Sequence, residues 1–134
     1  MAEQMKNIIK VVDLLAIGVH SGDTSGDAVD MRSSNYLNFE GALVRVAIGD
    51  IGGTPDSVSV KIEESDSSTF ASGNTEAEGG AAFDVEADNV YTLQVKRTKR
   101  YIRAVVTFTN GTSPDVEAHI EAVLNNWAKP YNLG

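Results

Sequence analysis

The strongest constraint in this sequence is a two-residue alternation of apolar and polar side chains in short runs. In the run 43–48, Val44, Val46 and Ile48 would point to one side of an extended chain. The same alternation recurs at 57–63, 83–86 and 91–96. Because successive side chains of a strand point to opposite faces, these runs predict half-buried β-strands.

Three further segments are also predicted to be strands, on evidence other than a regular alternation. The run 101–109 is rich in β-branched and aromatic residues, so it predicts a more buried strand. Val116 to Leu124 fits a strand or a short helix; Asn110-Gly111 and Pro114 are typical of a hairpin turn leading into a strand, which favours that interpretation. Ile8 to Leu15 also fits either, and its β-branched residues favour a strand beginning near Ile8.

Turn-forming residues separate these runs at 49–55, 65–69, 73–80 and 88–89. Short strands roughly ten residues apart, with no long amphipathic helix between them, are typical of all-β sandwiches and argue against βαβ units. The sequence therefore predicts an antiparallel β-sandwich or jelly roll of about eight strands with little helix. We expect one domain over 1–134, with a flexible arm at 1–7 and a tail at 125–134.

Composition narrows the function classes. The chain has 134 residues and no cysteine, which excludes a thiol nucleophile and Cys-ligated zinc. Nineteen acidic against eleven basic residues give a formal charge of −8, which disfavours binding to nucleic acid or anionic lipid. There is no apolar run near the ~20 residues of a spanning helix, and no signal-peptide pattern, so we expect synthesis in a cytoplasm.

Candidates for catalysis or metal binding are weak. His20 and His119 stand in no metal-ligand motif, and the sequence has no nucleophile elbow or phosphate loop, so we expect no enzyme and no cofactor. Asp23, Asp27 and Asp30 are weak calcium candidates because a Gly-bearing acidic loop supplies oxygen ligands. Their spacing does not match an EF-hand, and a solvated turn with carboxylates capping local N–H groups is the favoured interpretation.

Basic residues are concentrated in one segment, 96–103, here called the basic segment. Five of the eleven fall within it: Lys96, Arg97, Lys99, Arg100 and Arg103. A partner contact and a solvated turn are equally supported, and the acidic remainder of the chain ranks nucleic-acid binding behind both. Trp127, in the tail, would either fold back onto the core or anchor a neighbouring molecule.

Three sequence stretches carry a family resemblance. They are Val60-Lys-Ile-Glu-Glu-Ser-Asp-Ser-Ser-Thr-Phe70, Lys99-Arg-Tyr-Ile-Arg-Ala-Val-Val-Thr107, and Asp30 to Phe39 leading into Ala42 to Ile48. In this order they resemble a family of small virion proteins of tailed bacteriophages, over about Val11 to Val123. The loop 73–80 and the tail after Leu124 do not map onto that family.

The resemblance implies a β-sandwich or jelly-roll head protein that decorates or cements the capsid and has no enzymatic activity. It implies the major capsid protein and neighbouring copies of itself as partners, a homo-oligomer such as a trimer, and a place on the capsid surface after synthesis in the host cytoplasm. The basic segment and Trp127 are the predicted contacts. The alternatives are a head–tail joining or tail protein and a carbohydrate- or host-binding β-sandwich module.

Overall fold

The computed structural model describes residues 9–32 and 38–126, in which all regular structure is β-strand. The ten strands are β1 (Lys10–Ser21), β2 (Thr24–Ser25), β3 (Val29–Asp30), β4 (Gly41–Gly52), β5 (Ser57–Ser65), β6 (Thr75–Glu76), β7 (Phe83–Val85), β8 (Asn89–Lys96), β9 (Tyr101–Thr109) and β10 (Asp115–Asn125). Within the described part of the chain, no helix has the length and apolarity to span a membrane.

The strands form two antiparallel sheets. The first sheet has the order β1-β10-β4-β8, and the second runs β2-β9-β5-β6, with β3 also paired to β9 and β7 to β5. If β2 with β3 and β6 with β7 are each counted as one interrupted strand, eight strands remain, four in each sheet. Counted in this way, every connection along the chain crosses from one sheet to the other, except the one from β5 to β6, which stays in the second sheet. This arrangement is that of a jelly roll. The predicted all-β sandwich is confirmed.

Alternation places the core between the sheets. Val44, Val46 and Ile48 of β4 are buried and face Val58, Val60 and Ile62 of β5 across one hydrophobic cluster. The inward residues of β9 and β10 join them, including Ile102, Val106, Ile120 and Leu124. The two-residue period predicted from the sequence is therefore the period of burial, and the intervening residues form the two outer faces.

Strand β1 departs from strict alternation. Its pairing with β10 shifts register between Asp13 and Leu15, and again between Leu15 and Gly18. These bulges place Leu14 and Leu15 both in the core and turn Ile17 outward. The interrupted period explains why the sequence here fitted a helical stripe as well as a strand.

The Asn110-Gly111 turn is not a hairpin, so that prediction was wrong. The backbone is left-handed at Asn110 (φ 58°) and Gly111 (φ 91°), as a tight turn requires. However, β9 pairs with β5 and β10 pairs with β1 and β4, so this turn carries the chain from the second sheet to the first. A turn dipeptide reports local backbone geometry, whereas strand pairing depends on where each apolar face is buried.

Other predictions fall outside the described residues. The predicted arm at 1–7 and residues 127–134 of the predicted tail, with Trp127, lie there, as do residues 33–37 of one resemblance stretch. Strand β10 extends to Asn125, so it includes the first residue of the predicted tail.

Candidate functional site

The outer face of the first sheet carries an unusual concentration of exposed apolar side chains. The large hydrophobic residues that are exposed within the described part of the chain all belong to this sheet or lie immediately before it: Ile9, Val11, Ile17, Val19, Leu43 and Val90, each between 43% and 78% exposed. We call these six residues the apolar face. Scattered exposed aliphatic residues are ordinary, but a set gathered on one sheet marks a surface that is suited to a partner.

Strand register shows how these residues are brought together. Val11 pairs with Val123, which pairs with Leu43, so three aliphatic residues from three strands lie side by side. At the other end, Val90 pairs with Ala47, which pairs with His119. Side chains at directly paired positions lie close together, so each row is a continuous strip across the sheet.

A polar row separates the two apolar ends. Asp13 pairs with Glu121, Glu121 with Arg45, and Arg45 with Thr92. Next to this row is an open cleft of about 280 Å³, beside the bulged part of β1. Its lining is Ile17, Gly18, Ala47, Ile48, Gly49, Glu117, Ala118 and His119.

The basic segment has a different character, because internal partners hold most of its charges. Arg97 is the most buried, with 8% of its side chain exposed. Its guanidinium donates to the carbonyl oxygens of Phe39 and Lys99 and to Asn38, and it lies 3.7 Å from a carboxylate oxygen of Glu40. Burial is the main reason that the pKa of Arg97 is lowered. This arginine fastens the β8–β9 connection to the segment before β4.

Arg100 forms a two-pronged ion pair with Asp30, with both N–O distances 2.9 Å, and its guanidinium carbon lies 5.2 Å from the centre of the Tyr101 ring. The hydrogen bonds from Arg100 lower the pKa of Asp30, and those to Asp30 raise the pKa of Arg100. Asp30 also accepts from the backbone N–H of Arg32. The pair ties β3 to the start of β9.

Arg103 is held on the outer face of the second sheet. It donates twice to Glu63, at 3.1 and 2.9 Å, and its guanidinium carbon lies 4.4 Å from the centre of the Phe70 ring. Burial pushes the pKa of Glu63 upward, but hydrogen bonds from Lys61 and Arg103 outweigh it, and the net pKa is lowered. The ionised carboxylate is therefore the stable form in this site.

The turn between β8 and β9 is fixed by a buried acid. Glu64 is 4% exposed and accepts from the backbone N–H and hydroxyl of Thr98, at 2.7 and 2.6 Å, and from the N–H of Lys99, at 3.2 Å. The ammonium group of Lys99 donates to the Gly73 carbonyl. Lys96 is exposed, and its side chain has no hydrogen bond or ion pair to the described residues. Lys96 is thus the basic-segment residue whose charge is most available to another molecule.

The three weak metal candidates do not converge. Asp23 accepts from the backbone N–H of Phe108, Asp30 holds Arg100, and Asp27 is exposed. These contacts match the interpretation of a turn whose carboxylates satisfy nearby donors.

A different set of metal-ligating side chains does converge within the described residues. One ligand atom each of Asp13, His119 and Glu121 lies within 4.8 Å of the others. The sequence already placed His119 and Glu121 on one face, because they are two residues apart. Asp13 joins them only through the β1–β10 register, which the sequence does not reveal.

The structure thus defines an all-β sandwich with six exposed aliphatic side chains on, or immediately before, one of its sheets. No protein-family model matches the chain, and no curated protein matches it. A solved structure described as the crystal structure of PirA aligns with 89% of this chain and 92% of its own chain, at 18% identity and a TM-score of 0.40. A likeness of this size carries no argument about fold or function.

Proposed function

We propose that this chain is a structural protein of a tailed-bacteriophage virion, a decoration or cement protein that binds the outer surface of the head through the apolar face. The observation that carries the proposal is the collection of exposed aliphatic side chains on one sheet of the sandwich. Exposed aliphatic area is stabilised when a partner covers it, at about 25 cal/mol per Å² removed from water. The other support is the sequence resemblance to small phage virion proteins.

The chemistry of the surface favours a different protein as partner over a second copy of the same face. The polar row that crosses the apolar face carries two acids, Asp13 and Glu121, against one arginine, Arg45. Two copies meeting face to face would bring like charges together, which costs free energy, and the formal charge of −8 adds to that repulsion. A capsid surface with an apolar patch and a nearby cation would match this face.

The repeating lattice of a capsid explains how weak binding through the apolar face can be sufficient for attachment. Each copy on a capsid meets the same contact, and links between copies raise the effective concentration of each next contact, so weak individual binding is enough. Neighbouring copies, as in a trimer, stay predicted partners through surfaces other than the apolar face, with Lys96 as the most available member of the basic segment.

The fold class is compatible with this role but does not assign it, because jelly rolls occur in capsid, lectin and cupin domains alike. For the alternative of a carbohydrate-binding module, an aromatic platform is expected. The cleft beside Ile17 and His119 has no Phe, Tyr or Trp in its lining. A head–tail joining or tail role would also use an apolar face, and it predicts a position away from the icosahedral shell.

Binding to heads that lack this protein tests the proposal. The double variant Ile17→Glu with Val90→Glu places two charges on the apolar face. The matched control is Thr107→Glu with Thr109→Glu, which adds the same charges to exposed positions of β9 on the second sheet. We expect the first variant to weaken co-sedimentation with heads at least tenfold, or about 1.4 kcal/mol, and the control to bind like wild type.

Two results would overturn the proposal. If both variants bind like wild type, the apolar face is not the docking surface. If wild-type protein does not bind heads and electron microscopy of the virion places it at the neck or tail, the decoration role is wrong and the joining role replaces it.

A further inference from the structure

Asp13, His119 and Glu121 are brought together where β1 pairs with β10, at the start of the first β1 bulge. His119 and Glu121 project from the same side of β10, since they are two residues apart, and Asp13 is the direct cross-strand partner of Glu121. Nε2 of His119 lies 2.7 Å from Oδ1 of Asp13. The three ligand atoms are within 4.8 Å of one another before any ion is considered.

We propose that these three side chains form a binding site for a divalent transition-metal ion of the zinc class. Zinc is bound by His nitrogens and by Asp or Glu oxygens, and its open sites have three protein ligands and one free position, the number available here. Calcium takes six to eight oxygen ligands, and magnesium prefers oxygen ligands alone, so a histidine-containing set of three fits neither ion.

Charge balance supports a cation at this position. With a neutral imidazole, the two carboxylates carry a charge of −2, which a divalent ion would neutralise. The cation already beside them is Arg45, which is paired in register with Glu121. No ion pair joins Arg45 to the cluster among the described contacts, so Arg45 does not occupy the space between the three ligand atoms.

All three ligand residues lie within strands, and β10 is hydrogen-bonded to β1 on one side and to β4 on the other. His119 is only partly exposed, with 23% of its side chain accessible, and it lines the same cleft as Ile17. Ligands held by a sheet lose little conformational entropy when an ion binds. A site on a sheet therefore binds an ion more favourably than a flexible loop with the same ligands.

Isothermal titration of the intact, metal-stripped protein with zinc chloride tests the site. We expect one zinc ion per chain, and a dissociation constant that rises at least tenfold in His119→Gln and in the double variant Asp13→Asn with Glu121→Gln. Circular dichroism of each variant checks that the sheets are intact. The ¹⁵N shift of the His119 ring on zinc addition gives a readout that does not depend on heat.

The chain offers two matched controls. It has only two histidines, and His20→Gln removes the other one, whose Nε2 contacts the Ala16 carbonyl. Glu117→Gln removes an acid from the same strand and face without touching the three ligands. Both controls should bind zinc as wild type does.

Three outcomes would overturn the inference. They are no zinc binding by the wild-type protein, equal weakening by His20→Gln and His119→Gln, or tighter binding of calcium than of zinc. Because head binding is measured separately, failure of the zinc site leaves the proposed docking surface standing, and failure of docking leaves the zinc site standing.

Discussion

The two outer faces of this sandwich differ in their surface chemistry. On the second sheet and its connection to β8, Arg97, Arg100 and Arg103 are each bound to an acid or carbonyl of the same chain. On the first sheet and immediately before it, six large aliphatic side chains are exposed. The comparison teaches that a cluster of like charges in the sequence need not be available to a partner, because the fold can supply the counter-charges.

The physical reason is the cost of exchanging partners. An arginine that already holds a carboxylate and a ring would have to give up those contacts, or be desolvated further, to bind another molecule. Exposed aliphatic side chains have no contacts to give up, so covering them is favourable from the start. Binding and stability should therefore separate between the two faces, and three predictions test that separation.

The largest effect is expected at Glu64. Glu64→Ala would leave three donors of the β8–β9 turn without their acceptor, and we expect the free energy of unfolding to fall by about 3 kcal/mol. Urea denaturation measures this change. Glu117→Ala, an exposed acid on the first sheet, is the control and should stay within about 0.5 kcal/mol of wild type. Equal effects at the two glutamates would remove the contrast between the faces.

An effect of intermediate size on stability is expected when the pH is lowered. The pKa values of Glu63 and Asp30 lie below their ordinary values of 4.5 and 3.8, so both carboxylates stabilise the fold while ionised. This stabilisation is complete above those ordinary values and is lost as the pH falls through the lowered ones. Between about pH 7 and pH 3, wild type should lose on the order of 1 kcal/mol more than Asp30→Asn with Glu63→Gln. Parallel curves in chemical denaturation would show that the arginine pairs contribute nothing.

The smallest effect is expected on the apolar face. Val11→Thr and Val90→Thr replace exposed side chains by near-isosteres, so the free energy of unfolding should change by less than about 0.5 kcal/mol. The matched buried control is Val60→Thr, which introduces a hydroxyl into the core and should cost about 2 kcal/mol. A large loss from the exposed variants in thermal denaturation would mean that this face already has a partner within the chain.

Much of the fold was predictable from the sequence because burial follows the alternation. Val44, Val58 and Val116 were expected on buried faces, and they are buried. Strand partners were not predictable in the same way. Asn110-Gly111 indicated a turn correctly, but which sheet receives the next strand depends on contacts across the whole chain.

The candidate surfaces show the same division. The basic segment was visible in the sequence. The acids that bind it, Asp30, Glu63 and Glu64, come from two distant strands, so the sequence did not reveal that its charges are neutralised. The apolar face was hidden for a related reason. The bulges of β1 break the two-residue period, and without them Ile17 could not be assigned to the outer side.

The pairing of β1 with β10 also governs how this chain can acquire its structure. The hydrogen-bonded neighbour of β1 in its sheet is the last described strand, and β10 also separates β1 from β4. During synthesis, β1 and β4 therefore cannot join one sheet until β10, residues 115–125, has been added. Folding of the first sheet is therefore expected to be slow, as for other topologies dominated by contacts between distant residues.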